Sequence, residues 1–233
     1  MIAGLRQYAV LRLAACLLVG TAFQGSVRAA DVRGFITETQ QSSTVAQQLT
    51  MVWWIPAEFW DVSLAGNPNV TPDTAAQVHA AFQDYQVFAL LRANTGLQGL
   101  SNVASKADLL SNGRLEVDGK VIAPIDPDKV PAAVQTILGA MKPLLAGMLG
   151  QMGQSIELIV YPATSEGHRI TDPMKPGSFQ YTLYEQTFHW RLPLASLLPR
   201  KIDRKSKEEF PGNYDYNPYT GDKLSLGSAP AKK

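Results

Sequence analysis

The stretch Phe179-Gln180-Tyr181-Thr182-Leu183-Tyr184-Glu185-Gln186-Thr187-Phe188-His189-Trp190-Arg191-Leu192 decides the fold class. Phe179, Tyr181 and Leu183 alternate with Gln180 and Thr182, and Phe188, Trp190 and Leu192 alternate with His189 and Arg191. A period of two places one set of side chains on each face of an extended strand. An aromatic and aliphatic face opposite a polar one is the pattern of an antiparallel sheet packed on one side. Tyr184 to Thr187 are expected to connect the two strands.

The same grammar recurs upstream. Arg114-Leu115-Glu116-Val117 lies between Asn112-Gly113 and Asp118-Gly119, and Lys120-Val121-Ile122-Ala123 follows. Both dipeptides favour the left-handed conformations of tight hairpins, so a small meander is expected. Ile156 to Tyr161 reads as another strand, and Thr50 to Ile55 and Gln86 to Leu91 as central strands. Two helices interrupt the pattern. Thr71-Pro72-Asp73 combines a cap, a first-turn proline and an acid at the positive end of the dipole, opening a helix to about Tyr85. Pro131 to Gln151 carries apolar residues at helical spacing, with Pro143 expected to kink or split it. The predicted fold is α+β: a mostly antiparallel sheet of about seven or eight strands with two or three helices packed on it. A β-sandwich with helical insertions is the alternative.

Composition agrees with a packed chain. Of 233 residues, 45% are hydrophobic and 18% charged, which excludes wholesale disorder and fibrous repeats. A net charge of +1 removes the general electrostatic case for nucleic-acid binding. The lone cysteine excludes a disulfide framework and a cysteine-based metal site within one chain.

Residues 1–29 read as an export signal. Arg6 and Arg12 precede an uncharged apolar run from Leu13 to Phe23, and Ala29 with Val27 satisfies a peptidase that needs small residues. Cleavage after Ala29 would start the mature chain at Ala30, with 18 basic and 20 acidic residues and no cysteine. Leu13-Ala14-Ala15-Cys16 also resembles a bacterial lipobox, which implies acylation of Cys16 and a membrane anchor. The nearby Arg12 and the apolar run beyond Cys16 favour the signal peptide. The expected location is periplasmic or secreted. The mature chain offers no transmembrane span, because Lys142 and Pro143 interrupt its most apolar helix.

Charge divides the mature chain. Residues 30–199 carry 10 basic and 15 acidic residues, and residues 200–233 carry 8 and 5. The first segment is expected to be a single globular domain. The second is expected to be a mostly irregular basic tail with an ordered patch around Phe210 to Leu224. Within it, Phe210 to Gly221 followed by Lys223-Leu224 resembles the second half of a zinc ribbon, with Asn217 where a cysteine would stand. The resemblance implies a small folded knob stripped of metal, since no thiolate ligand exists. Tyr214, Tyr216 and Tyr219 would be its core or a contact patch.

Three further constellations bear on function. Trp54 and Trp60, in Trp53-Trp54-Ile55-Pro56-Ala57-Glu58-Phe59-Trp60, are either core residues or an aromatic platform for a carbohydrate or small hydrophobic ligand. Met141, Met148 and Met152 share a helix face. Such a face serves core packing, a partner or lipid surface, or Cu(I). Ser165-Glu166-Gly167-His168-Arg169 holds triad residue types, but on one short loop, which does not assemble a triad. His79, His168 and His189 are scattered, and no hydrolase elbow, phosphate loop or metal-protease motif occurs. The expected function is an exported binding or assembly module of the bacterial envelope with no cofactor, whose partner is an envelope protein or such a ligand. One alternative is an envelope hydrolase, with Glu58, Asp61, Glu166 and His168 converging beside Trp54 or Trp60. The other is a methionine-based Cu(I)-handling protein.

Overall fold

The computed structural model describes residues 32–65 and 67–226. The segment expected to be an export signal, with Cys16, Ala29 and Ala30, lies outside the described residues.

Two antiparallel sheets and a layer of helices form the body, an α+β fold. The first sheet begins after helix α1 (Val32–Thr39) with strands β1 (Gln40–Val45) and β2 (Gln48–Ile55). Helices α2 (Ala57–Leu64) and α3 (Pro72–Phe82) precede its longest strand, β3 (Tyr85–Gly96). β3 pairs with β2 on one edge and with β4 (Gly99–Ser101) and β7 (Glu157–Pro162) on the other. The second sheet follows helix α4 (Lys106–Asn112). It comprises β5 (Gly113–Val117), β6 (Lys120–Ile122), β10 (Gly177–Leu183) and β11 (Gln186–Leu192), ordered β11-β10-β5-β6. Helices α5 (Ala132–Leu149) and α6 (Gln151–Ser155) lead into β7. A short ribbon, β8 (Thr164–Ser165) and β9 (His168–Arg169), follows it.

The alternation of β2 explains the layering. Trp53 and Trp54 point to opposite faces, as successive strand residues must. Trp54 meets Phe179 edge-on, with centroids 4.7 Å apart, and Phe88 stacks on Tyr181 at 4.8 Å. Phe179 in turn lies parallel to Trp190 at 5.0 Å. These rings pack the two sheets face to face. On the other face, Trp53 meets Phe59 of α2 at 5.4 Å, and Trp60 stacks on Phe82 of α3 at 4.2 Å. The strands expected in one sheet are thus divided between two, with helices outside the first.

Three of the buried indoles are paired across this core, whereas Trp60 Nε1 is buried without a partner among the described residues. Trp54 Nε1 and Thr171 Oγ1 both donate to Gln86 Oε1, at 2.8 and 2.9 Å. Trp53 Nε1 donates to Thr39 Oγ1 and Trp190 Nε1 to the Thr39 carbonyl, at 3.1 and 3.0 Å. Such bonds fix which indole goes where, because an unpaired N–H here would carry a desolvation cost of about 1–3 kcal/mol.

One local expectation is corrected, and two others meet the structure in part. Asn112-Gly113 is not a hairpin turn: Asn112 ends α4 and Gly113 opens β5. Glycine is required there by close approach, since a Cβ would lie 2.5 Å from the Tyr181 hydroxyl and 2.7 Å from the Leu109 carbonyl oxygen. Helix α5 is not split at Pro143, and the break falls at Gly150, whose φ of +58° leaves the helical region. In the tail, β12 (Lys201–Ile202) is flanked by β13 (Glu209–Phe210) and β14 (Ser225–Leu226), and Phe210 and Leu224, the ends of the expected ordered patch, are buried.

The buried hydroxyls of Tyr161 and Tyr181 face each other at 3.0 Å. Burial pushes both phenols above the usual tyrosine range, and for Tyr181 the proximity of Tyr161 adds to it. A phenol with a raised folded-state pKa leaves stability intact below about pH 10, where the unfolded phenol stays neutral. As the pH rises above that, the unfolded chain ionises first and stability falls. The Tyr161→Phe variant is expected to lose less stability between pH 9 and 11 than the parent in denaturant titrations. An equal loss would contradict this assignment.

Candidate functional site

β3 carries one charged residue, Arg92, in an otherwise apolar and neutral run. It sits on the face that looks toward the second sheet, near one end of the sandwich. Its guanidinium donates to Thr50 Oγ1 at 2.9 Å, Gln48 Oε1 at 2.5 Å and Glu185 Oε1 at 2.7 Å. The Tyr184 ring covers it, with 4.7 Å from the guanidinium carbon to the ring centroid. A guanidinium has five N–H donors, so donors remain beyond these three bonds.

Arg92 lines a cavity of about 610 Å³ together with Gln48, Asn94, Asn102, Asp108 and Tyr184, and with the apolar Ala93, Val103 and Ala104. Four segments converge there: β2, β3, the approach to α4, and the β10–β11 turn. Ser105 and Asp108 form a capping box at the start of α4, and the Ser105 hydrogen bonds hold the Asp108 carboxyl below the usual carboxylate range. The hydrogen bond from Arg92 does the same for Glu185. Both carboxylates are therefore ionised at neutral pH.

The protection of the two ion-pair partners is unequal. The Arg92 side chain is 10% exposed, whereas that of Glu185 is 65% exposed. Glu185 lies in the two-residue turn Tyr184-Glu185, which is shorter than the expected connection Tyr184 to Thr187. Tyr184 has a φ of +54°, a conformation that bulky residues avoid. Ala46, Gln47 and Asn102, with φ of 49°, 66° and 47°, border the same end of the sandwich. Four of the seven non-glycine residues with positive φ among the described residues thus gather here. Gln186, opposite Leu183 on the inward face, has both amide atoms buried without a hydrogen-bond partner among the described residues.

The residues singled out from the sequence lie elsewhere. Trp54 and Trp60 are fully buried, so neither presents a ring to a ligand. Large rings on two faces of one strand–helix junction are what join the layers. Met141 is buried and Met152 packs half-buried against the core, so these thioethers do not share an open face. The side chain of Met148 lies outside the described residues. Tyr214, Tyr216 and Tyr219 are exposed, Tyr219 at 83%. Of the proposed hydrolytic groups, Glu58 is ion-paired with Arg169, and the Asp61 carboxylate accepts from His79 Nδ1–H at 3.0 Å. His168 Nδ1 contacts the Glu166 carbonyl oxygen at 3.0 Å on an exposed turn. Glu58, Asp61 and His168 are thus each engaged by a different partner, and Trp54 and Trp60 present no ring beside them. Asp61 and His79 line a smaller groove of about 390 Å³, where the nearby Ser63 hydroxyl is turned back to the Trp60 carbonyl.

Among the described residues, no three His, Cys, Asp or Glu side chains gather to hold a metal, and no helix is long and apolar enough to cross a membrane. No protein-family model matches the chain, and neither a curated protein nor a solved structure matches it.

Proposed function

We propose that the protein is an exported binding module of the bacterial envelope and that its ligand is a small carboxylate held by Arg92. The observation that carries this reading is the unequal ion pair: an almost fully buried arginine whose counter-ion is a largely solvated glutamate on a strained turn. A buried charge must be paired. The exposed Glu185 carboxylate loses little by returning to water, so an incoming carboxylate can take its place on the guanidinium. Strain at Tyr184 and the unpartnered amide of Gln186 support a turn that rearranges around a ligand. Asp108 on the cavity wall opposes a doubly charged phosphate and favours a singly charged or zwitterionic ligand. Export rests on the character of residues 1–29.

Calorimetric titration with acetate, alanine, phosphate and glucose tests this reading on the chain purified from an envelope fraction. Acetate and alanine are expected to bind, and phosphate and glucose to bind more weakly. Arg92→Gln is expected to weaken carboxylate binding by roughly 10- to 100-fold, the worth of a charge-assisted hydrogen bond. Glu185→Gln is expected to tighten it about two- to fivefold, because the competing pair is largely solvated on its Glu185 side, and solvated ion pairs are worth up to about 1 kcal/mol. Equal affinities in all three proteins would defeat the assignment.

A further inference from the structure

The C-terminal knob contains two turns built alike. In the first, Asp203 Oδ1 accepts from the backbone N–H groups of Lys205 and Ser206 at 2.8 and 3.3 Å, and Lys207 N donates to the Asp203 carbonyl at 2.9 Å. In the second, Asn217 Oδ1 accepts from Tyr219 and Thr220 N–H at 2.9 and 3.4 Å, and Gly221 N donates to the Asn217 carbonyl at 2.8 Å. The fifth residue of each turn has a positive φ: 64° at Lys207 and 75° at Gly221. The two lead side chains are buried at 1% and 2% exposure and meet, Asn217 Nδ2 donating to Asp203 Oδ2 at 2.6 Å.

Each turn therefore aims its lead side chain inward and accepts two backbone N–H groups on it. The spacing from first to fourth residue, Asp203 to Ser206 and Asn217 to Thr220, is the two-residue gap of paired metal ligands. Two such turns facing each other make a four-ligand metal ribbon when the four positions are thiolates. Here the positions hold a carboxylate, an amide and two hydroxyls, a set that does not suit zinc: the lead groups are joined directly, while the exposed Ser206 Oγ accepts from Glu208 N and Thr220 Oγ1 donates to Asp222 Oδ2. We infer that residues 200–226 are a metal-type ribbon in which the Asp203–Asn217 hydrogen bond has replaced the metal as the cross-link. The Asp203 carboxyl accordingly stays charged: the hydrogen bond from Asn217 holds it below the usual carboxylate range. The consequence is a knob that presents its exposed Tyr219 without any metal.

Two measurements on the full chain test the inference. Asn217→Ala is expected to lower hydrogen-exchange protection of the Lys207 and Gly221 amides by about tenfold, the cost of one buried hydrogen bond, with the body strands unchanged. The parent is expected to show the same protection with and without EDTA. Loss of protection in EDTA, or no change in Asn217→Ala, would overturn the cross-link. The second variant carries Asp203→Cys, Ser206→Cys, Asn217→Cys and Thr220→Cys together. It is expected to bind one Co(II) with the absorption of a tetrahedral thiolate site, whether the knob is folded beforehand or only on adding metal. Absence of that spectrum would overturn the ribbon geometry.

Discussion

Trp54→Ala is expected to cost about 3–5 kcal/mol, the range for removing a large buried aromatic. Its ring is fully buried and joins the two sheets through Phe179, with centroids 4.7 Å apart. Truncation leaves a cavity between rigid sheets, where neighbours cannot easily collapse. It also removes the Nε1 donor to Gln86 Oε1. That acceptor keeps its bond from Thr171, so the polar part of the loss is the smaller part. Trp54→Phe retains most of the packing and is expected to cost less than half as much. For a domain stabilised by about 5–15 kcal/mol, the alanine variant stands close to its folding limit. Urea denaturation of the three proteins checks this. A loss under 1 kcal/mol in Trp54→Ala would contradict the two-sheet core.

Gly153→Ala is expected to destabilise the chain by the opposite route. A Cβ at Gly153 would collide with the Leu145 carbonyl and lie 2.8 Å from the Ala146 nitrogen. Both obstacles are backbone, so α6 must move away from α5 before a methyl group fits. Overpacking of this kind costs about 1–3 kcal/mol or more. Gly139→Ala serves as the control, since a Cβ there meets nothing within 4 Å. It is expected to stabilise the chain by roughly 0.5–1 kcal/mol through helix propensity. Thermal denaturation that moved the two variants in the same direction would contradict this helix contact.

The hairpin from Phe179 to Leu192 was legible because one of its faces is buried, and burial on one face enforces strict alternation. The helix at Thr71 was legible from its cap, and Thr71 Oγ1 does accept from Thr74 N at 3.2 Å. The division into two sheets was not legible. Trp54, Phe88 and Phe179 look alike in a sequence whether they share a sheet or face each other across two. Helix α4 was hidden by Asn112-Gly113, which suits a hairpin turn as well as a helix end followed by a crowded strand start.

The candidate site was missed for a related reason. Arg92 reads as an ordinary strand terminus, and its partners Thr50 and Glu185 lie 42 and 93 positions away. The available signal was a single charge inside the apolar run Val87 to Ala93, because a charge in a buried strand needs a partner. The tryptophans are the more conspicuous feature of the sequence, and their size makes them the cement between layers. In the tail, few aliphatics and many Lys, Gly and Pro residues pointed to a mostly irregular segment with one ordered patch. The cross-link turned out to be polar and local, between residues 14 positions apart.

Side-chain NMR of Arg92 tests the central claim most directly. In the parent chain, titration with acetate is expected to shift the Arg92 Nε–Hε resonance and the Tyr184 ring resonances together and to saturation, with the His79 resonances unmoved. Glu185→Gln should show the same shifts at lower acetate concentration. An Arg92 signal that stays fixed, or that drifts without saturating alongside exposed arginines such as Arg114, would contradict a carboxylate site at Arg92.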